Sequence, residues 1–314
     1  MYNIGVDIGG TGIKIGVVDC EGKIVYRDQC STDVKGGFDK IISDIDGVIR
    51  RIIKENSIDA SQIGSIGFGL PGYIDKNGKA NCVNLNWKKV DFINSLKNTF
   101  PEFDILAEND ATVAGLAESR FGSAKNSSSS VLLTLGTGVG GGIVINGRPF
   151  SGAHGVGSEI GHMIIGENFY DCNCGNNGCF ETFCSATAII KYAQKLLSEE
   201  NVPTSAILDM CKGDISKIDA KIVFDAYRQD DQIAKKVIVR LKKYLAIGIA
   251  NIVNTLDPEV VAIGGGLSKS SDIILDGLKE MVREHITYKD EEFADIVIAT
   301  LGNDAGIIGA SILK

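Results

Sequence analysis

Asp7-Ile8-Gly9-Gly10-Thr11-Gly12 and Leu135-Gly136-Thr137-Gly138 are the stretches on which the reading of the fold turns. Each closes an apolar strand candidate, Tyr2–Ile8 in one case and Val131–Leu135 in the other. Each leads into a second strand candidate, Ile13–Val18 or Gly142–Ile145, and those end at the turns Glu21-Gly22 and Asn146-Gly147. Two explanations stand: an internal duplication in which both halves offer a glycine turn to one cleft, or two unrelated glycine-rich hairpins.

Turns of this kind wrap phosphate oxygens, because a Cβ would hold the backbone away from the anion. Gly9, Gly10, Thr11, Gly136, Thr137 and Gly138 are therefore candidate phosphate contacts, with Asp7 placed to hold Mg²⁺ through water. A ligand-free hairpin is the competing reading. Neither turn opens a helix with Gly-Lys-Ser/Thr, and neither suits a dinucleotide fingerprint, since a strand and not a helix follows. Gly264-Gly265-Gly266 lies between a strand candidate, Val260–Ile263, and a predicted helix. It is either an adenosine-binding backbone or a tight crossover.

Outward from the turns, strands alternate with helices. Phe38, Ile41, Ile42, Ile45, Val48, Ile49, Ile52 and Ile53 mark one helix face, and Ile233, Val237, Leu241, Tyr244, Leu245, Ile249 and Ile252 another. Ile63–Gly69, Asp104–Ala107 and Ile296–Ala299 are short strand candidates; Ala111–Arg120 and Ala305–Leu313 are helical. The alternation predicts an α/β fold with crossover connections. The polar run Gly122–Ser130 is the boundary signal, and 314 residues suit two domains.

The 38 glycines exceed the roughly 22 expected at an average usage of about 7%, and five prolines and no collagen period accompany them. The excess belongs in turns and ligand loops. Hydrophobic residues are 44% and charged residues 23%, a soluble globular balance. A formal charge of −8 supplies no basic stripe, so nucleic acid is not an expected partner, while a nucleotide remains within reach of backbone amides and a metal ion. No run of about 18 apolar residues and no signal peptide is seen, so a cytoplasmic protein without a membrane partner is expected.

Glu108-Asn109-Asp110-Ala111 stands where a strand ends and a helix begins. Asp110 is either the helix N-cap or a general base that takes the proton of an attacking hydroxyl. Asn109 offers a donor and an acceptor to a polyol. Cys172, Cys174 and Cys179, with His162 ten residues earlier, make a Cys₃His set, the composition of a closed structural zinc site. Such an ion organises a loop and activates no water. Glu159 and Glu181 flank the cluster, as solvated glutamates or as paired carboxylates that accept vicinal sugar hydroxyls. Cys20, Cys30, Cys82, Cys184 and Cys211 are scattered and expected to be inert buried thiols.

These residues together resemble the bacterial ROK sugar kinases from Asp7 to Ala310. The matching stretches are Asp7–Thr11, Leu70-Pro71-Gly72, Glu108–Ala111, Leu135–Gly142, Glu159-Ile160-Gly161-His162 and Cys172–Glu181. The cysteine block with its upstream Glu-x-Gly-His carries most of the specificity. The resemblance implies an actin-like, ribonuclease H-like two-domain ATPase fold with an interdomain cleft and a zinc-stabilised loop. Domains are expected at 1–120, joined by the C-terminal helix at 301–314, and at 121–300. It implies ATP-dependent transfer to the 6-hydroxyl of a hexose, with glucose leading and N-acetylmannosamine, fructose or allose as alternatives. Asp110 would be the base, and Gly72, Asn109, Glu159, His162 and Glu181 would bind sugar. Gly264, Gly265 and Gly266 join the two turns in binding ATP, Mg²⁺ accompanies the nucleotide, and His162 is shared between Zn²⁺ and the sugar. Leu70–Tyr73 and Asn84–Trp87 would shape the pocket, and a homodimer is expected. Ser158 and Ala188 stand where the family usually has glycine. Family members that repress transcription carry a DNA-binding segment ahead of this region, and with six residues before Asp7 none is expected here.

Overall fold

The computed structural model describes residues 1–199 and 204–314. The chain groups into two compact units. The first comprises Met1–Leu132, Gly142–Ser158 and Ala299–Lys314, and the second Leu133–Gly141 and Glu159–Ile298.

In chain order the elements are β1 (Tyr2–Ile8), β2 (Gly12–Val18), β3 (Ile24–Ser31), α1 (Gly37–Glu55), β4 (Ile63–Leu70), β5 (Tyr73–Ile74), β6 (Ala80–Cys82), β7 (Trp87–Val90), α2 (Phe92–Thr99), β8 (Asp104–Asn109) and α3 (Asp110–Phe121). Next come β9 (Ser129–Leu135), β10 (Val139–Ile145) and β11 (Arg148–Pro149). The helices α4 (Glu181–Cys184), α5 (Ala186–Glu199), α6 (Ala206–Met210), α7 (Ala220–Arg228) and α8 (Gln232–Leu256) follow. The chain ends with β12 (Val260–Gly264), α9 (Ser271–Ile274), α10 (Leu278–Arg283), β13 (Asp295–Ile298) and α11 (Ala305–Ser311). No helix among the described residues is long and apolar enough to cross a membrane.

The first sheet has the order β3-β2-β1-β4-β8 and the second β11-β10-β9-β12-β13. The two orders correspond position for position: a hairpin around a glycine turn, then a parallel strand pair, β4 with β8 or β12 with β13. The repeated turn in the sequence is thus one part of a repeated sheet.

Alternation explains the first unit. Ile4, Val6 and Ile8 on β1 and Ile13, Ile15 and Val17 on β2 are wholly buried and pack with Ile41, Ile45 and Ile49 of α1. Each such side chain contributes about 1.5–3 kcal/mol on burial. The opposite face is bare for a reason. A Cβ on Gly5 would stand 1.9 Å from the Ile307 carbonyl oxygen, and one on Gly67 1.8 Å from that of Ala310, so α11 lies directly on the strand backbones.

In the second unit α8 is the long support. Asp231 caps its start by accepting from the Ala234 amide at 2.8 Å. It stops where Asp257 turns left-handed (φ 43°) ahead of Pro258, which cannot continue a helix. Gly248 makes room on it for the buried ring of Phe180, the residue after Cys179. Arg240 donates to Asn168 at 2.7 Å and lies 4.5 Å from the Tyr192 ring centre and 4.7 Å from that of Phe183. The helix therefore grips the cysteine loop from beneath.

Three details differ from the expectations. A further strand, β3, follows the Glu21-Gly22 turn and runs to Ser31, because its pairing with β2 extends to Gly12↔Ser31. The helix expected directly after Gly264-Gly265-Gly266 is a 3₁₀ turn, Gly266–Ser270, followed by the four-residue α9. The small sheet β5-β6-β7 has strands of two to four residues, too short for a hydrophobic period to register.

Candidate active site and metal centre

In the first unit the turn between β1 and β2 closes with the Gly9 amide donating to the Gly12 carbonyl at 3.0 Å. Thr32 straps it from the side: its amide donates to Thr11 O at 3.2 Å and its Oγ1 to Gly9 O at 2.7 Å. Sequence reasoning missed Thr32, which follows β3 in no motif; only its place opposite the turn gives it a role. Asp7 ends the strand beside the turn, 3.8 Å from Lys14 Nζ across the Asp7↔Lys14 pair. Gly306 of α11 presses on it, since a Cβ there would be 2.7 Å from Asp7 Cγ. Burial pushes the Asp7 carboxyl above its ordinary value, and the Lys14 charge partly opposes this.

Asp110 is not the cap of its helix. Asn109 is: its Oδ1 accepts from the Ala111 amide at 2.9 Å and the Thr112 amide at 3.1 Å. Asp110 is the first residue of α3, where a carboxylate is favoured by the helix dipole. Asn109 Nδ2 donates to the Gly72 carbonyl at 3.0 Å, so capping and this bond together take up most of its polar capacity. Glu108 accepts from Ser151 Oγ at 2.6 Å and tethers the residue after Phe150 to the end of β8. Gly72 is forced by packing: a Cβ would stand 2.1 Å from Asn81 O and 2.8 Å from Cys82 Sγ. The Cys82 thiol is pushed up to about 12, by burial first and by the nearby Asp110 charge second. The structure thus gathers Gly72, Asn109 and Asp110 around one strand end.

In the second unit the turn between β9 and β10 is held by the Gly136 amide donating to Gly138 O at 2.9 Å. The Ala186 amide donates to Gly136 O at 2.7 Å and Thr187 Oγ1 to Thr137 O at 2.8 Å. Gly265, with φ 83°, packs on the backbone of Leu135, where a Cβ would stand 2.5 Å from the carbonyl oxygen. Gly264–Gly266 and Gly136–Gly138 therefore adjoin one another.

His162, Cys172, Cys174 and Cys179 place their ligand atoms all within 4.8 Å of one another. Cys172 Sγ is 3.7 Å from His162 Nδ1, and Cys174 Sγ is 3.5 Å from Cys179 Sγ. A tetrahedral ion with Zn–S bonds of about 2.3 Å sets its ligands about 3.8 Å apart, so the set fits a metal. Burial, with the two neighbouring sulfurs, pushes the Cys179 thiol up to about 12, and a cation is what makes a thiolate tenable there. The other ring nitrogen of His162, Nε2, lies 4.0 Å from Glu159 Oε2. Glu181 turns one carboxylate oxygen to the Val139 amide at 3.0 Å and the other toward Cys172 Sγ at 3.7 Å. Of the scattered cysteines, Cys82, Cys184 and Cys211 are buried, but Cys20 is exposed and Cys30 half-buried, which corrects the expectation of five buried thiols. Cys20 sits in the surface turn after β2, and Cys30 on the outer strand of its sheet.

The sequence profile of the ROK family matches residues 3–314. The chain belongs to the ROK family. A ROK relative, the glucokinase of Halalkalibacterium halodurans, is 36% identical over 98% of this chain and 93% of its own. The crystal structure of a ROK family glucokinase from Streptomyces griseus, in complex with glucose and AMPPNP, has a TM-score of 0.80 at 29% identity and covers 99% of this chain and 98% of that one. The xylose repressor of Bacillus subtilis is 30% identical over 99% of this chain, which spans 76% of the repressor. The architecture is accordingly that of the actin-like α/β ATPase fold.

Proposed function

We propose that this protein is an ATP-dependent hexose kinase that transfers the γ-phosphate of ATP to the 6-hydroxyl of glucose. The observation that carries the reading is the place of Asp110, the first residue of α3, beside Gly72 and Asn109 at one strand end. Asn109 caps the helix, Asp110 Oδ1 accepts from the Ala111 amide at 2.7 Å, and the Asp110 carboxylate would serve there as general base. Phosphoryl transfer asks little more of a protein than position and charge stabilisation. Asp7, Gly9, Gly10 and Thr11, with Gly136, Thr137 and Gly138, would hold the phosphates and Mg²⁺, and Gly264–Gly266 the adenosine. Gly10, Gly136 and Gly266 support this: a Cβ on each meets nothing within 4 Å, so packing does not demand glycine there and close approach of a ligand would.

Gly72, Asn109, Glu159, His162 and Glu181 would bind the sugar. Asn109 has little capacity left beyond its cap and its bond to Gly72 O, so it would act chiefly by placing Gly72 and Asp110. His162, Cys172, Cys174 and Cys179 would hold a structural Zn²⁺ that stiffens the loop bearing Glu159 and Glu181. A homodimer, a cytoplasmic setting and domains at 1–120 with 301–314 and at 121–300 belong to the same reading.

A coupled assay of ADP release over a sugar panel tests it. Turnover with glucose well above N-acetylmannosamine, fructose and allose is expected. Preference for one of those three would change the acceptor and keep the mechanism. Sugar binding without any ADP release would favour a sugar sensor, the reading that similarity to xylose repressors raises.

A further inference from the structure

Glu181 belongs to two structures at once. Its Oε2 accepts from the Val139 amide at 3.0 Å, on the glycine turn, and its Oε1 lies 3.7 Å from Cys172 Sγ, in the cysteine cluster. The carboxylate also fills the space in front of Gly138, where a Cβ would stand 2.2 Å from Oε2. Residues just after it grip the same turn twice more, through the Ala186 amide on Gly136 O and Thr187 Oγ1 on Thr137 O. The histidine side of the cluster touches it too: Gly161 lies against the Val139 carbonyl, at 2.0 Å from a would-be Cβ. The turn is thus clasped by the segments that carry the metal ligands. A hydrogen bond to a charged acceptor is worth more than a neutral one, and this one fixes the first residue beyond the turn.

We propose that Glu181 is a positioning residue for the nucleotide: it holds Gly136–Val139 in the shape that receives phosphate, and the cysteine loop sets where its carboxylate stands. This rests on the reading of that turn as a phosphate site. It gives the metal centre a second consequence, on the nucleotide as well as on the sugar. Loss of the ion loosens the Cys172–Cys179 loop that carries Glu181 two residues beyond it, and with the loop the hold of the carboxylate on the Val139 amide.

The protein with its metal tests this by titration with MgADP and by amide exchange in the peptide spanning residues 133–141. Glu181→Ala is expected to exchange faster there without nucleotide and to bind MgADP about 10-fold more weakly. Glu181→Gln, whose carbonyl still accepts from Val139, should return both readings to within about 2-fold of the parent protein. Chelation of the parent should speed exchange in 133–141 while a peptide covering 63–70 is unchanged, and added Zn²⁺ should reverse it. That arm decides the matter if Glu181→Ala fails to fold. Unchanged exchange on chelation, or a Glu181→Ala protein that loses glucose affinity alone, overturns the proposal. If MgADP does not protect 133–141 in the parent protein, the phosphate reading of the turn fails instead, and the exchange rates without nucleotide still report on the clasp.

Discussion

Glu118, 1% exposed, accepts a hydrogen bond at 2.7 Å from the Leu301 amide, 183 residues further along the chain. The same carboxylate takes the Ser123 amide at 2.8 Å, Ser123 Oγ at 2.9 Å and Thr300 Oγ1 at 3.3 Å. It ties the far end of the Asp110 helix to the segment that leads into α11. Glu118→Ala should orphan several part-buried donors at once and cost about 2 kcal/mol, read by denaturant unfolding. A loss under about 0.5 kcal/mol would show that water replaces the carboxylate without penalty.

Asp110→Asn keeps the shape of the side chain and removes the proposed base. Turnover should fall about 10³-fold or more, while calorimetric affinity for glucose changes less than about 3-fold. Undiminished turnover would falsify the assignment of the base. The Cys82 thiol supplies an internal control: its raised pKa owes part of its rise to the Asp110 charge, so it should ionise more readily in the variant.

Asp7, which would hold Mg²⁺ in the proposed function, carries its charge at a structural cost. Burial raises its pKa above the ordinary 3.8, so the folded state favours the neutral acid. The stability this group contributes is complete below the unfolded pKa and is lost as pH rises through the folded value. At neutral pH Asp7→Asn should therefore raise the melting temperature, by about 2 °C, while lowering turnover at least about 10²-fold. In the parent protein the KM for MgATP should climb as pH falls toward the raised pKa, and the Asp7→Asn profile should be flat there. A variant that melts lower at pH 7 contradicts the sign.

How much of this was legible in the sequence differs by the range of the interaction. Gly9–Gly12, Gly136–Gly138 and the Cys172–Cys179 spacing are local, and each carries its geometry in consecutive residues. Thr32, Lys14 and Glu118 carry no motif, because each acts on a partner that the sheet or α11 brings to it. Asp110 shows the limit most clearly. Strand-Asp-helix order admits a cap or a base, and the Asn109 bonds to Ala111 and Thr112 show only that Asn109 is the cap. Glu181 was readable as a neighbour of the cluster but not as a ligand of the Val139 amide, 42 residues away.

Gly72 is tested by the smallest addition. In Gly72→Ala the new methyl group would meet Asn81 O at 2.1 Å, a backbone atom that cannot rotate away. The strand β6 or the Gly72 carbonyl must move, and that carbonyl holds Asn109 Nδ2. The KM for sugar should rise about 10-fold or more with the KM for ATP within about 2-fold, together with a stability loss of about 1–3 kcal/mol. Equal increases in both KM values would mean that the change spreads beyond the sugar side.

The metal centre makes the last prediction. Three thiols and an imidazole within 4.8 Å of one another form a set that suits a cation, and burial with the sulfur neighbours, which pushes Cys179 up to about 12, keeps that thiol neutral until one binds. Elemental analysis should find about one zinc per chain. Cys174→Ser exchanges a soft thiolate for a hydroxyl at the exposed corner of the cluster, and should lower zinc content below about half and the melting temperature by at least about 5 °C. Because Glu159 stands 4.0 Å from His162, glucose affinity should fall with the metal and return when zinc is restored. A zinc-free protein that keeps both its melting temperature and its glucose affinity would leave the cluster with no structural part in the site.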